Sequence, residues 1–114
     1  YMARVSLQAA EALAEQNIGV DLIDLRTIVP LDVETIIESI KKTGRCVIAQ
    51  EAPRTGGFAS ELMSLINEKA FGYIDAPLGR VTGFDTTIPL YRLENEYMPD
   101  VGRVMKKIKE MVQF

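Results

Sequence analysis

Apolar residues first recur along this chain at a helical period. In MARVSLQAAEALAEQN, Val5, Ala9, Ala12 and Leu13 fall at i, i+4, i+7 and i+8, one face of a helix that Gly19 should end. The period then changes. GVDLIDLRTIVP gathers Val20, Leu22, Ile23 and Leu25 into a short apolar run closed by a proline, which predicts a buried strand. LDVETIIESIKKTG returns to helical spacing through Val33, Ile36, Ile37 and Ile40. Asp32 is placed to cap that helix, with Glu34 in its positive first turn. Lys41 and Lys42 suit its negative end, and Gly44 suits its stop. RCVIAQ predicts the next strand. Residues 20–50 therefore read strand, helix, strand, a length that suits a right-handed crossover between parallel strands.

The second half repeats the alternation. GFASELMSLINEKAFG puts Phe58, Leu62, Leu65 and Ile66 on one helical face, and APLGRVTGFD carries a short strand around residues 80–82. DTTIPLYRLENEYMPD is irregular, with two prolines and scattered aromatics, and is long for a plain loop, so it should pack on something. Asp100 caps a last helix whose stripe is Val101, Val104, Met105, Ile108, Met111 and Val112. The pattern is α/β, and residues 1–114 form one domain without repeat or internal linker.

Composition narrows the chemistry. Thirteen Lys and Arg against 16 Asp and Glu leave a net charge of −3, which speaks against binding nucleic-acid backbones. No apolar run approaches the roughly 18 residues that a membrane helix requires. The single cysteine, Cys46, cannot form an internal disulfide; it suits a reducing compartment and reads as a small buried filler. The chain has no histidine, which removes the commonest general base and metal ligand. Asp24 with Glu51 is the carboxylate pair open to proposal, and no metal-ligating constellation stands out. Tyr1 precedes Met2, so the chain reads as a piece of something longer.

Two stretches carry a question. In EAPRTGGFASEL, Gly56 and Gly57 precede a helix start, where backbone N–H groups attract anions, and Arg54 offers a fork of donors. The same glycines also serve simply to turn the chain from strand to helix, with Thr55 near the cap, and such turns need glycine more often than phosphate. Arg26 and Glu51 end neighbouring predicted strands, so they are expected to pair. Arg103, Lys106, Lys107 and Lys109 make the last helix basic outside its stripe, either a solvated face or a docking surface for an acidic partner.

VDLIDLRTIVPLDVETIIESIKKTGR, EAPRTGGFASEL, APLGRVTGFDTTIPL and LENEYMPD occur in that order. Together they resemble the C-terminal domain of β subunits of the thiamine-diphosphate-dependent 2-oxo acid dehydrogenases, from about Met2 to Phe114. EAPRTGGFASEL is most similar to the branched-chain members; pyruvate and acetoin members share much of the pattern. The resemblance implies a transketolase C-terminal fold: three layers, α/β/α, around a mixed, mostly parallel sheet. It also implies a longer β subunit, with an N-terminal domain and a strand just upstream of Met2. In that family thiamine diphosphate and magnesium are held elsewhere, so no catalytic, cofactor or metal residue carries over to this chain. Gln50 departs from the pattern, standing where many relatives have His.

The role the resemblance implies is assembly, with a second β subunit, the α subunit and the subunit-binding domain of the dihydrolipoyl acyltransferase as partners. Phe114, Met111, Lys107 and Arg103 are then the interface residues, while Arg26, Glu51, Gly56 and Gly57 build a structural turn. The implied location is the cytoplasm, or the mitochondrial matrix in a eukaryote. A sheet lacking one strand is expected to self-associate. Two alternatives stand beside this: another member of the transketolase group, or a free-standing α/β module that binds an anion at Gly56 and Gly57.

Overall fold

The computed structural model describes residues 1–114. Its backbone is three-layered. A parallel pair of strands, β1 (Val47–Pro53) and β2 (Gly79–Gly83), lies between two helical layers. One layer holds α1 (Met2–Ala14) and α5 (Val101–Val112); the other holds α2 (Val33–Thr43) and α3 (Phe58–Ala70). A one-turn helix, α4 (Glu94–Tyr97), precedes α5.

Each layer contributes its own core. Ile36, Ile37 and Ile40 of α2 meet Leu62, Ile66 and Ala70 of α3, with Ile48 of β1 packed against them. On the other side Val5 and Ala9 of α1 meet Val104 of α5 across Val81 of β2. Alternation along the strands explains the division, because successive side chains point to opposite faces of a sheet.

The helix boundaries follow from local chemistry. Asp32 caps α2 by accepting from the Thr35 amide at 3.1 Å and the Thr35 hydroxyl at 2.7 Å. Gly44 closes α2 at φ +67°, a conformation that costs glycine little. Asp100 caps α5 by accepting from the Arg103 amide at 2.7 Å. The stop of α1 falls earlier than Gly19. Asn17 takes the left-handed turn at φ 60°, and the Ile18 amide donates back to the Leu13 carbonyl at 3.0 Å, a Schellman closure.

The expected strand at residues 20–25 does not form. No backbone hydrogen bond to another main-chain group involves residues 19–24. Ile23 and Leu25 still lean on the α2–α3 core. Asp21 ties the stretch to α2, accepting from Lys42 Nζ at 2.8 Å and Ser39 Oγ at 3.2 Å. A strand needs a paired neighbour, and none flanks this segment. The parallel crossover is instead β1–α3–β2, over residues 47–83. The sheet within this chain is therefore two parallel strands, with no antiparallel member.

Candidate functional site

The turn after β1 was the one place where the sequence suggested a ligand. Val47 pairs with Gly79, Ile48 with Arg80 and Ala49 with Val81; the ladder then slips and resumes at Pro53 opposite Gly83. Residues 50–52 thus bulge out of register, and this frees Gln50 for another task. Its Oε1 accepts from the Ala59 amide at 2.7 Å, and its Nε2 donates to the Pro53 carbonyl at 2.9 Å. One neutral side chain satisfies an orphan amide of α3 and braces the turn that leads into it.

A second side chain closes the same turn from across the sheet. Asp85, just past β2, accepts from the Thr55 amide and the Thr55 hydroxyl, each at 2.8 Å. The backbone N–H and then the hydroxyl hold its carboxyl below the usual range. Gly56 turns at φ +72°. Gly57 is needed for close approach, since a Cβ there would collide with the Gln50 amide and lie 2.6 Å from the Pro53 carbonyl oxygen. The cradle is filled from within: Asp85 supplies the anion, and Gln50 supplies the acceptor at the helix start. Arg54 is exposed and makes no ion pair; its carbonyl accepts from Arg80 Nη1 at 3.4 Å. Arg80 spends the same nitrogen on Ser60 Oγ at 2.8 Å.

The expected pair of Arg26 with Glu51 is corrected. Arg26, at φ 57°, places Nε 2.9 Å from Asp24 Oδ2, while Glu51 is exposed and unpaired. Because residues 20–25 do not join the sheet beside β1, the two strand ends never come side by side. Asp24 is engaged by Arg26 through both its side chain and its amide, and no hydrogen bond joins it to Glu51. Cys46 is half-buried against the α2–α3 core, and burial pushes its thiol up to about 11. That is the environment of an inert filler.

The four interface candidates separate. Arg103 reaches inward: Nη2 donates to the Thr82 carbonyl, Nη1 to the Tyr97 carbonyl at 3.3 Å, and the guanidinium lies 4.6 Å from the Phe84 ring centre. Met111 is buried, and its carbonyl accepts from Arg45 Nε at 2.9 Å. Lys107 lies against Gly79 and pairs with Glu110. Phe114 alone presents its side chain freely, 68% exposed.

Sequence reasoning missed the Phe84–Tyr97 junction. Their rings meet edge to face, with centres 6.3 Å apart. Tyr97 is buried over Gly83, and its hydroxyl has no hydrogen-bond partner. Asp85 was missed as well, because it acts on a residue 30 positions away. Gln50 stood out only as a departure from the family pattern, and its part in closing the turn was not foreseen. No three His, Cys, Asp or Glu side chains converge to hold a metal ion, and no helix is long and apolar enough to cross a membrane.

Comparison with known proteins adds what the geometry does not carry. Residues 1–104 match the family model described as "Transketolase, C-terminal domain". The chain is 49% identical to the 2-oxoisovalerate dehydrogenase subunit beta, mitochondrial, of Dictyostelium discoideum, over 97% of this chain and 30% of that protein. It is 49% identical to the 2-oxoisovalerate dehydrogenase subunit beta of Pseudomonas aeruginosa, over 92% of this chain and 30% of that protein. It is 40% identical to the pyruvate dehydrogenase E1 component subunit beta of Staphylococcus aureus, over 99% of this chain and 35% of that protein. Among solved structures, a chain of a split-gene transketolase, described as an inactive beta4 tetramer, superposes with a TM-score of 0.82. That match covers 98% of this chain and 35% of the other at 24% identity, which shows the fold. The chain thus spans about a third of the length of its curated relatives.

Proposed function

We propose a function from one premise: the chain belongs to the transketolase C-terminal domain family. On that premise it is the C-terminal domain of a longer β subunit, in the decarboxylating component of a 2-oxo acid dehydrogenase complex, and its work is assembly. The parent enzyme carries out oxidative decarboxylation of a 2-oxo acid and reductive acylation of lipoyl groups. The observation that carries this reading is identity to β subunits that runs across nearly the whole chain. The 2-oxoisovalerate relatives are more similar than the pyruvate one, which favours a branched-chain substrate for the parent.

Thiamine diphosphate and magnesium belong to the parent enzyme in this reading. The chain's own glycine turn does not fit a diphosphate, because Asp85 and Gln50 already occupy its Thr55 and Ala59 donors. What remains for these residues is protein contact. The partners are a second β subunit, the α subunit and the subunit-binding domain of the dihydrolipoyl acyltransferase. The parent works in the bacterial cytoplasm or the mitochondrial matrix.

The test is light scattering after size exclusion, with and without the acyltransferase's subunit-binding domain. The expected result is one species of summed mass and no 2-oxo acid decarboxylation by the chain alone. Separate elution of a well-folded chain, or decarboxylation by the chain by itself, would contradict the reading.

A further inference from the structure

Arg80 carries a charge that the chain does not answer. Its side chain is half-buried on β2, and it forms no ion pair. Charges drawn out of water are normally matched by an opposite charge. The guanidinium is also held still. Nη1 donates to Ser60 Oγ at 2.8 Å and, more weakly, to the Arg54 carbonyl at 3.4 Å, so α3 and the turn before it pin one nitrogen. Nε and Nη2 have no acceptor within the chain. A guanidinium with one prong fixed and its other donors free is pre-organised for an oxygen acid.

Arg80 lines an open groove of about 460 Å³ between α3 and β2, a size that suits a small molecule. From α3, Ser60, Met63, Ser64 and Asn67 line it at helical spacing, and Leu78 joins them from just before β2. The lining thus holds one cation and no carboxylate. The Ser64 and Asn67 side chains are exposed and make no hydrogen bond within the chain, while Met63 and Leu78 are half-buried and apolar. These features select a ligand. The unanswered charge calls for an anion, the planar fork suits a carboxylate, and the two apolar side chains suit a short hydrocarbon attached to it. The helix start adds little, because the Ala59 amide is bound to Gln50 and the Ser60 amide to the Gly57 carbonyl. A phosphate, which draws on such amides, is therefore served less well.

We propose that the groove between α3 and β2 binds a short aliphatic carboxylate. Arg80 holds the carboxylate, Ser64 and Asn67 offer further hydrogen bonds, and Met63 and Leu78 meet the hydrocarbon. The site and the assembly reading do not depend on each other.

An NMR titration of the 114-residue chain with isovalerate tests it. Saturable shifts are expected at residues 60–67 and 78–80, with a Kd of about 1 mM. Isovaleramide, which has the same shape without the charge, should not saturate. Acetate, which lacks the hydrocarbon, should bind about fivefold more weakly. Arg80→Gln should weaken isovalerate binding about tenfold or more. Arg80→Lys keeps the charge without the fork and should fall between. Because Arg80 also braces Ser60, Met63→Ala provides a second variant: it should leave acetate binding unchanged and bring isovalerate close to the acetate level. The spectrum of each variant reports its fold. Shifts that stay linear with isovalerate, an equal response to isovaleramide, or isovalerate binding unchanged in Arg80→Gln would overturn the site. Inorganic phosphate binding more tightly than isovalerate, or a preference for isovalerate over acetate that survives Met63→Ala, would overturn the ligand class.

Discussion

Residues 20–25 and β1 carry similar apolar weight and lean on the same α2–α3 core, through Ile23 and Leu25 in one case and Ile48 in the other. Only β1 is a strand. It has β2 beside it, brought there by the crossover through α3. Residues 19–24 have no backbone partner, and Asp21 moors them to α2 by side chain alone. The turn that leaves β1 repeats the contrast, with its donors taken by Gln50 and Asp85. A strand is thus a property of its neighbours as much as of its own residues. One region of this domain is closed on itself, and another keeps its main-chain groups free.

The largest effect expected lies beneath both regions. Ile66 is 1% exposed at the centre of the shared core, so Ile66→Ala should cost about 2–5 kcal/mol in denaturant unfolding. Ile23→Ala, at a half-buried site on the open side, should cost clearly less; an equal cost would show that residues 20–25 are as tightly packed as the strands. Glycines sharpen the contrast next. Gly57→Ala forces the Gln50 amide and the Pro53 carbonyl apart and should cost about 1–3 kcal/mol. Gly19→Ala meets open space and should stay within about 0.5 kcal/mol of wild type.

Acid titration probes how each region is tied. Asp85 is held low by the Thr55 amide and hydroxyl, and Asp21 by its bond from Lys42. Both carboxyls titrate lower in the folded chain, so their stabilisation is present at neutral pH and is lost as pH falls below about 4. Asp85→Asn should flatten that acid limb, and added salt should not reproduce the effect. The contribution of Asp21 is an exposed pair with Lys42 and should fade with salt. A melting curve unchanged in shape by Asp85→Asn would remove Asp85 from the turn. The smallest effect is expected at Tyr97, whose buried hydroxyl has no partner: Tyr97→Phe should leave the melting temperature unchanged or raise it.

Much of the fold was legible from spacing and caps. Asp32, Gly44 and Asp100 act locally, within a turn of the residues they satisfy, and local chemistry is what a sequence displays. The strand at residues 20–25 was misread because its apolar run suggested a buried, paired strand, whereas Leu22 is 40% exposed and Ile23 and Leu25 are only partly buried against the α2–α3 core, with no paired neighbour. The stop of α1 was misread because asparagine also tolerates the left-handed turn, two residues before the glycine. The expected partner of Arg26 failed with the strand that was to position it. At the turn after β1, the glycines were visible but their two closers were not: Asp85 arrives from beyond β2, and Gln50 becomes free only where the ladder slips.

Hydrogen exchange read residue by residue would test the contrast most directly. The amides of β1 and β2, with those of Thr55 and Ala59, should be protected through most of the global stability. Those of residues 19–24 should exchange close to the rate of an unstructured chain. Equal protection across residues 19–24 and β1 would mean that the first segment is paired in solution, by this chain or a second copy, and would contradict the account.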